Sequence, residues 1–313
     1  MSELIALRII IPVAGQGTRL RPHTEKRQKV LLPVGGKPIL DRVLQALVAA
    51  GISDVSFVIG HLGDQVREHM AGYHDLQVTY VEQSEQRGLG EAVYLALLAG
   101  YRTDQDISDE PIVIILADTI LELDYDDFFN SSKSLIGVVE VENPGEFGIV
   151  ETAGRRVVGL VEKPAEPSSN LAIGGIYRIG SQRRLRQALE NLIEGRITTR
   201  GEYQLTDALA LMVEQGEEFL TFPIDRWLDC GTEKTLLETN SYLLESSGGC
   251  FIHPEAIVEH STIRSGSIME NCRISNSTLE NCIVLPDAQL ESCYINGEIV
   301  EERAGLNGYH SSQ

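Results

Sequence analysis

The sequence predicts an α/β fold, a mostly parallel sheet between helices, followed by a short parallel β-helix. Three observations carry that expectation. Over the first half, apolar runs of strand length alternate with amphipathic stretches of helix length, the pattern of a sheet covered on both faces. The first apolar run, Ile9-Ile10-Ile11, opens into a glycine turn and a cationic segment. After Gly249, aliphatic residues return every five or six positions, at Ile252, Ile257, Ile263, Ile268, Ile274, Leu279, Val284, Leu290 and Ile295. Such spacing lets stacked coils line a narrow core.

Taken in order, Ile5–Pro12 reads as a strand. Pro38–Ala50 reads as a helix, with Ile39, Val43, Leu44 and Leu47 on one face and Gly51 ending it. Strands at Val55–Ile59, Val78–Val81 and Ile112–Leu116 alternate with helices at Asp64–Met70 and Ala92–Ala99. Then come strands at Gly137–Glu142, Gly148–Glu151, Val157–Glu162 and Ile173–Ile179, and helices at Arg183–Ile193 and Gln204–Gln215. Phe219–Pro223 and Asp225–Leu228 are expected to return to the sheet. A helix around Glu233–Glu245 leads to the breaker Ser246-Ser247-Gly248-Gly249. Glu270-Asn271-Cys272, Glu280-Asn281-Cys282 and Glu291-Ser292-Cys293 echo one another within the aliphatic repeat. The domains expected are 1–235, a helical linker 236–249, a β-helix 250–300 and a mobile polar tail 301–313. The repeat is expected to serve assembly, making a homo-oligomer, because uncapped coil ends expose strand edges.

The 313 residues carry a net charge of −20. That balance excludes a general nucleic-acid or anionic-membrane binder, which needs a basic face. It also fits adaptation to salt, which screens self-repulsion. No apolar run reaches the roughly 20 residues of a membrane span, and no basic segment precedes the first apolar run. Five cysteines without metal-ligand spacing fit a reduced, cytoplasmic protein.

Against this acidic background the segment from Gly15 to Lys37 stands out. Arg19, Arg21, Lys26, Arg27, Lys29 and Lys37 are opposed only by Glu25. A glycine turn opening into a cationic loop holds phosphate groups. It is not the dinucleotide fingerprint, because Leu20 stands where a third glycine is needed, nor a Walker loop, because Pro38 follows Lys37. The stretch resembles the signature of the sugar-1-phosphate nucleotidyltransferases, G-x-G-T-R-L-x-P-x-T-x-x-x-P-K-x-L-x-P-V-x-x-K-P. Gly15, Gly17, Thr18, Arg19, Leu20, Pro22, Thr24, Lys29, Leu31, Pro33, Val34, Lys37 and Pro38 fall in place. Gln28 replaces the proline that usually precedes the key lysine, which is expected to loosen the geometry of Lys29.

The resemblance covers about the first 235 residues and implies a Rossmann-like nucleotide-diphospho-sugar transferase domain with a left-handed β-helix behind it. It implies a reaction in which a sugar 1-phosphate attacks the α-phosphorus of a nucleoside triphosphate (NTP) and pyrophosphate leaves. Glucose 1-phosphate with dTTP or UTP is favoured. Leu116-Ala117-Asp118-Thr119 resembles the family's L-G-D-N or L-G-D-T, and Trp227-Leu228-Asp229-Cys230-Gly231-Thr232 its W-x-D-x-G-T. By resemblance Asp118 and Asp229 hold Mg²⁺, the only cofactor expected. Glu162-Lys163-Pro164 resembles E-K-P, in which the lysine grips the sugar phosphate and the glutamate the sugar hydroxyls. Gly148, Ile173 and Tyr177 are then sugar-pocket residues, and Gly201-Glu202-Tyr203-Gln204-Leu205-Thr206-Asp207 matches a further family stretch. Arg19 and Lys29 hold the triphosphate, with Ala14, Gly15, Gly17 and Thr18 at the nucleotide. Gln83 with Gly88 resembles the loop that reads the base, since an amide offers both donor and acceptor. Taken without the resemblance, each aspartate is a turn residue, Glu162-Lys163 a solvated pair and Tyr177 a core residue. Two other readings stand beside the enzyme. One is a catalytically weak regulatory or sugar-nucleotide-binding paralogue, motivated by Gln28 and Ala117. The other is an acyltransferase on the repeat with His253 or His260 as base.

Overall fold

The run Arg8–Pro12 (β1) is apolar on both faces, with Ile9, Ile10 and Ile11 fully buried, because it lies inside a sheet with neighbours on either side. The structure is a computed structural model that describes residues 7–99 and 109–311. Ile5 and Ala6 of the expected first strand lie outside them. The chain forms two compact units. One takes the chain up to Gly15 with Gln45–Ala117 and Leu121–Trp227; the other takes Gln16–Leu44, Asp118–Ile120 and Leu228–Gln313. The cationic loop therefore belongs with the C-terminal third rather than with the strand it follows.

The first unit holds a nine-stranded sheet. After β1, its strands are β2 (Asp54–Ile59), β3 (Gln77–Glu82), β4 (Ile112–Ile115), β5 (Ser134–Glu140), β6 (Gly148–Ala153), β7 (Arg156–Glu162), β8 (Leu171–Ile179) and β9 (Phe219–Pro223). Their order is β3-β2-β1-β4-β8-β5-β9-β7-β6. The four strands β3-β2-β1-β4 are parallel, and β8 runs antiparallel to β4 and β5. The chain winds from β1 out to β3, then restarts on the other side of β1 at β4. This reversal opens a crevice at the carboxyl ends of β1 and β4, where α/β sheets receive ligands. Val13–Gly15 and Leu116–Ala117 leave the sheet there. Helices Leu89–Leu98, Gln182–Glu194 and Leu205–Glu214 bury Val93, Leu189 and Leu209 against the sheet in one continuous core. Arg226–Asp229 does not return to this sheet as expected; it pairs with Thr119–Glu122 in a separate two-stranded sheet. The short helix Tyr125–Phe129, capped by Asp124, has no counterpart in the sequence expectation.

The second unit is built around the repeat. Cys250–Ile252, Gly266–Ile268, Cys282–Val284 and Ile299–Val300 stack as one parallel face of a β-helix. Pairs such as Cys250↔Gly266 and Gly266↔Cys282 set a coil of 16 residues, and three faces divide it into the five- or six-residue aliphatic spacing of the sequence. The Glu-Asn-Cys echo marks a corner. Asn271, Asn281 and Ser292 turn the chain at φ 58°, 44° and 54°, and Cys272, Cys282 and Cys293 point inward and are buried. Short polar residues tolerate that backbone best. The coils continue past Val300, where a mobile tail was expected: Gly305–Asn307 pairs with Gln289–Glu291, and His310 bridges to Tyr294. His253 and His260 sit at coil positions beside Glu255 and in a left-handed corner, respectively. Among the described residues no helix is long and apolar enough to cross a membrane.

Candidate active site

Beyond β1 the chain turns at Gly17, in the left-handed region at φ 61°. A side chain there would lie 3.0 Å from Thr24 Cγ2 and 3.1 Å from Lys29 Cβ, so only glycine lets the turn close over the lysine. Thr24 Oγ donates to the Gly17 carbonyl at 2.8 Å and holds the turn. Thr18 and Arg19 project from it into solvent. Gln28 does not loosen the lysine's backbone. It is buried, its φ of −62° is the angle a proline would impose, and its Oε1 accepts from the Val30 N–H at 2.7 Å. The amide caps the tight turn Lys29–Leu31 and sets the direction of Lys29.

Lys29 Nζ reaches Asp118 Oδ2 at 2.9 Å. The Cys230 N–H donates to the Asp118 carbonyl at 3.0 Å, which brings Asp229 alongside. Asp229 Oδ1 accepts from the Gly231 N–H at 3.1 Å. A side chain at Gly231 would meet Asp229 Oδ1 at 2.9 Å and Arg19 Nη2 at 3.1 Å, so the arginine lies over the same spot. Arg19, Lys29, Asp118 and Asp229 thus converge. The two carboxylates are pushed in opposite directions. Burial would raise Asp118, but the charge and hydrogen bond of Lys29, with Arg19 behind them, hold it below the usual carboxylate range. Burial raises Asp229, and the Asp118 carboxylate adds to the rise against a hydrogen bond from Thr235 and the two cations.

A second group lies in the sheet unit. Glu162 at the end of β7 pairs with Gly148 at the start of β6. A side chain at Gly148 would touch Ile173 Cδ1 at 2.9 Å, Glu162 Oε2 at 3.0 Å and Thr206 Oγ at 3.1 Å. These four residues therefore face one small polar space. Thr206 donates to Glu162 Oε2 at 2.7 Å, a role the sequence does not signal, because helix-start threonines are common. Lys163 takes a left-handed backbone at φ 43°, with its Nζ 3.5 Å from Glu162 Oε1 and its carbonyl accepting from Arg200. A lysine held there is costly and is kept by its surroundings. Tyr177 is 3% exposed in the core, beside Ile114 and Ile136 of its neighbouring strands.

The third group is at the ends of β2 and β3, where Gly60, His61, Asp64, Gln83 and Gln86 line a cleft of about 610 Å³. Ala14 closes against it: its carbonyl accepts from the His61 N–H and from Gln86 Nε2 at 2.8 Å. Gln83 Nε2 donates to the Gly88 carbonyl at 3.1 Å and to the buried Glu91 Oε2 at 3.0 Å. Both partners are acceptors, so the amide nitrogen is committed to them and Oε1 is the atom presented. Glu91 is the residue that sequence reasoning missed here; in the sequence it is one more acid just before the expected helix, and the structure places it in that helix's first turn.

A family model described as nucleotidyl transferase matches residues 8–246. Over 287 residues the chain is 30% identical to a glucose-1-phosphate thymidylyltransferase of Streptomyces antibioticus, covering 87% of this chain and 76% of that protein. It is 32% identical over 238 residues to the bifunctional protein GlmU of Methanocaldococcus jannaschii, covering 75% of this chain and 54% of GlmU, about half that relative's length. The crystal structure of UDP-glucose pyrophosphorylase complexed with UDP-glucose shares the fold, with a TM-score of 0.64 at 22% identity over 77% of this chain and 99% of that one. With the matched segment running from β1 through the helix Glu233–Leu244, the chain belongs to the nucleotidyl transferase family.

Proposed function

We propose that the protein joins an NTP to a sugar 1-phosphate, making a nucleoside-diphosphate sugar and pyrophosphate, with glucose 1-phosphate and dTTP or UTP as the favoured pair. The observation that carries this reading is the convergence of Arg19, Lys29, Asp118 and Asp229 from three distant stretches of chain. The sugar-phosphate oxygen is already ionised near neutral pH, so the reaction needs positioning and charge neutralisation rather than a general base. Arg19 and Lys29 hold the triphosphate and meet the charge that develops on departing pyrophosphate. Ala14, Gly15, Gly17 and Thr18 bring backbone close to the nucleotide. Lys163 holds the attacking phosphate, and Glu162, oriented by Thr206, accepts from sugar hydroxyls beside Gly148 and Ile173, whereas Tyr177 lies in the core behind them.

Asp118 and Asp229 fit Mg²⁺. They act on each other electrostatically, and no third His, Cys, Asp or Glu joins such a group among the described residues. That donor set suits an ion that takes few carboxylates and completes its shell with water and phosphate oxygens. Bound there, Mg²⁺ supplies charge neutralisation on the phosphates.

Gln83 supports the preference for dTTP or UTP over CTP and ATP. With Nε2 held by Gly88 and Glu91, its Oε1 asks for an N–H on the base edge. Thymine and uracil offer N3–H, whereas cytosine and adenine offer an acceptor at the matching position. Glu91→Gln is expected to free the amide to turn and to narrow the preference for dTTP and UTP over CTP. The capped Gln28 gives no support to a weak paralogue.

The deciding experiment is pyrophosphate release from each of five triphosphates against glucose, mannose, galactose and N-acetylglucosamine 1-phosphates with Mg²⁺. No release in any combination would defeat the proposal. On the first coil Ile252 and Ile257 are 44% and 42% exposed, and a second copy is expected to cover them. Light scattering that gives a monomer at every concentration would refute the homo-oligomer.

A further inference from the structure

Regular structure in the cationic loop is limited to the short turns Thr18–Leu20 and Lys29–Leu31 and the two-residue pairing of Pro33–Val34 with Lys37–Pro38, so much of its shape must come from the residues it packs on. Leu20 and Leu32 are buried at 1% and 0% exposure in one cluster with Ile283, Leu285 and Ile299 of the β-helix. The Gly35 N–H donates to Asn240 Oδ1 at 2.9 Å, and that fully buried oxygen also receives Ser267 Oγ–H at 2.6 Å. The ring of Phe251, on the first coil, sits where a side chain at Gly36 would be.

Two side-chain contacts tie the same loop to the turn after Val300. Arg27 Nη2 donates to Glu302 Oε2 at 2.7 Å, with side chains 25% and 33% exposed. His23 Nδ1 faces Glu301 Oε1, and both of these atoms are buried. Glu233 stands 4.0 Å from the other ring nitrogen. His23 precedes Thr24, which holds the Gly17 turn, and Arg27 precedes Gln28, which caps the turn of Lys29. Partly buried pairs are screened less than surface pairs.

We propose that Glu301 and Glu302 are positioning residues: the last coil of the β-helix clasps the back of the cationic loop and so sets where Arg19 and Lys29 point. The division of charge supports this. Of the loop's cations, Arg27 is paired within the clasp, while Arg19 and Lys29 face Asp118 and Asp229. The β-helix then acts on the chemistry and is more than an assembly surface. This inference rests on the reading of the loop as the triphosphate holder.

The test uses the full chain with Glu301→Gln, Glu302→Gln and the double variant. In the folded double variant, amide hydrogen exchange over residues 18–31 is expected to speed up by about tenfold, while the coil strand Cys282–Val284 keeps its protection. The KM for the NTP is expected to rise by roughly tenfold, with the KM for the sugar phosphate unchanged. Arg27→Glu combined with Glu302→Arg should recover most of the loss in each single variant. If the double variant is too unstable to measure, Glu302→Gln alone is read in the same way. Unchanged exchange in a folded variant overturns the clasp, as does faster exchange with an unchanged NTP KM. Lys29→Ala separates the two ideas. If it cripples NTP use while the clasp variants leave the loop undisturbed, only the clasp fails. If it leaves NTP use intact, the triphosphate reading falls and the clasp's catalytic role falls with it.

Discussion

Asp118 and Asp229 carry the same group into different surroundings. Lys29 sits on one, whereas burial and the neighbouring carboxylate press on the other. If they share one Mg²⁺, Asp118→Asn and Asp229→Asn should each lower turnover by roughly 10²-fold or more, about 3 kcal/mol of barrier. The double variant should lose far less than the product, because residues acting as one unit are not additive. Losses that multiply in two folded single variants would speak against a shared ion. The metal-free protein offers a second measurement. Asp118 has a folded pKa held below its unfolded value, so its pairing contributes stability that is complete above the unfolded value near 3.9 and is lost as pH falls through the folded one. With chelator present, wild type should therefore lose more melting temperature between pH 5 and 2 than Asp118→Asn does. Parallel curves would mean that the pair contributes nothing.

At the scale of elements, short turns position the cations. The turn Lys29–Leu31 has three residues, and its one side-chain cap is Gln28. Gln28→Ala should lower stability by about 1 kcal/mol, because the cap is lost and the buried Val30 N–H is left unmet. It should also raise the KM for the NTP more than that for the sugar phosphate. Gln28→Pro, which keeps φ, should preserve the direction of Lys29 better than alanine does, as compared by NTP KM. An alanine variant as stable and active as wild type would remove the cap from the account.

For the whole molecule, the cysteines report how tightly the second unit is closed. All five cysteines in the sequence are free thiols in the structure. Burial pushes Cys230 and Cys250 upward, Cys272 to about 11 and Cys282 to about 12. Since the thiolate is the reactive form, the native protein at pH 8 should label slowly with a disulfide reagent. The unfolded chain should release five equivalents at once. Rapid labelling of native Cys272 or Cys282 would mean that the coils open readily. The units also cut across the chain. The loop 16–44 and the repeat belong to one compact unit, so a chain ended before the repeat is expected to lose the packing of Leu20 and Leu32.

Much of this could be read from the residues in order. Strand and helix periods are local, so the helices at 39, 63, 182, 205 and 233 begin within one residue of their expected places. The glycines, lysines and aspartates of the candidate site follow one another at spacings that resemble a known signature, and those spacings are legible along the chain. The short helix Tyr125–Phe129 escaped because five residues carry too little period, and the final coil because its residues are polar and few are aliphatic. Only the tertiary structure decided which side chains share a space: Glu91 fixing the Gln83 amide, Thr206 orienting Glu162, Arg226–Asp229 leaving the main sheet, and Glu301 and Glu302 meeting His23 and Arg27. Sequence specifies local backbone preference and burial. Partners separated by tens or hundreds of residues are chosen by the packing of the whole chain, and hydrogen bonds and charges acquire their meaning there.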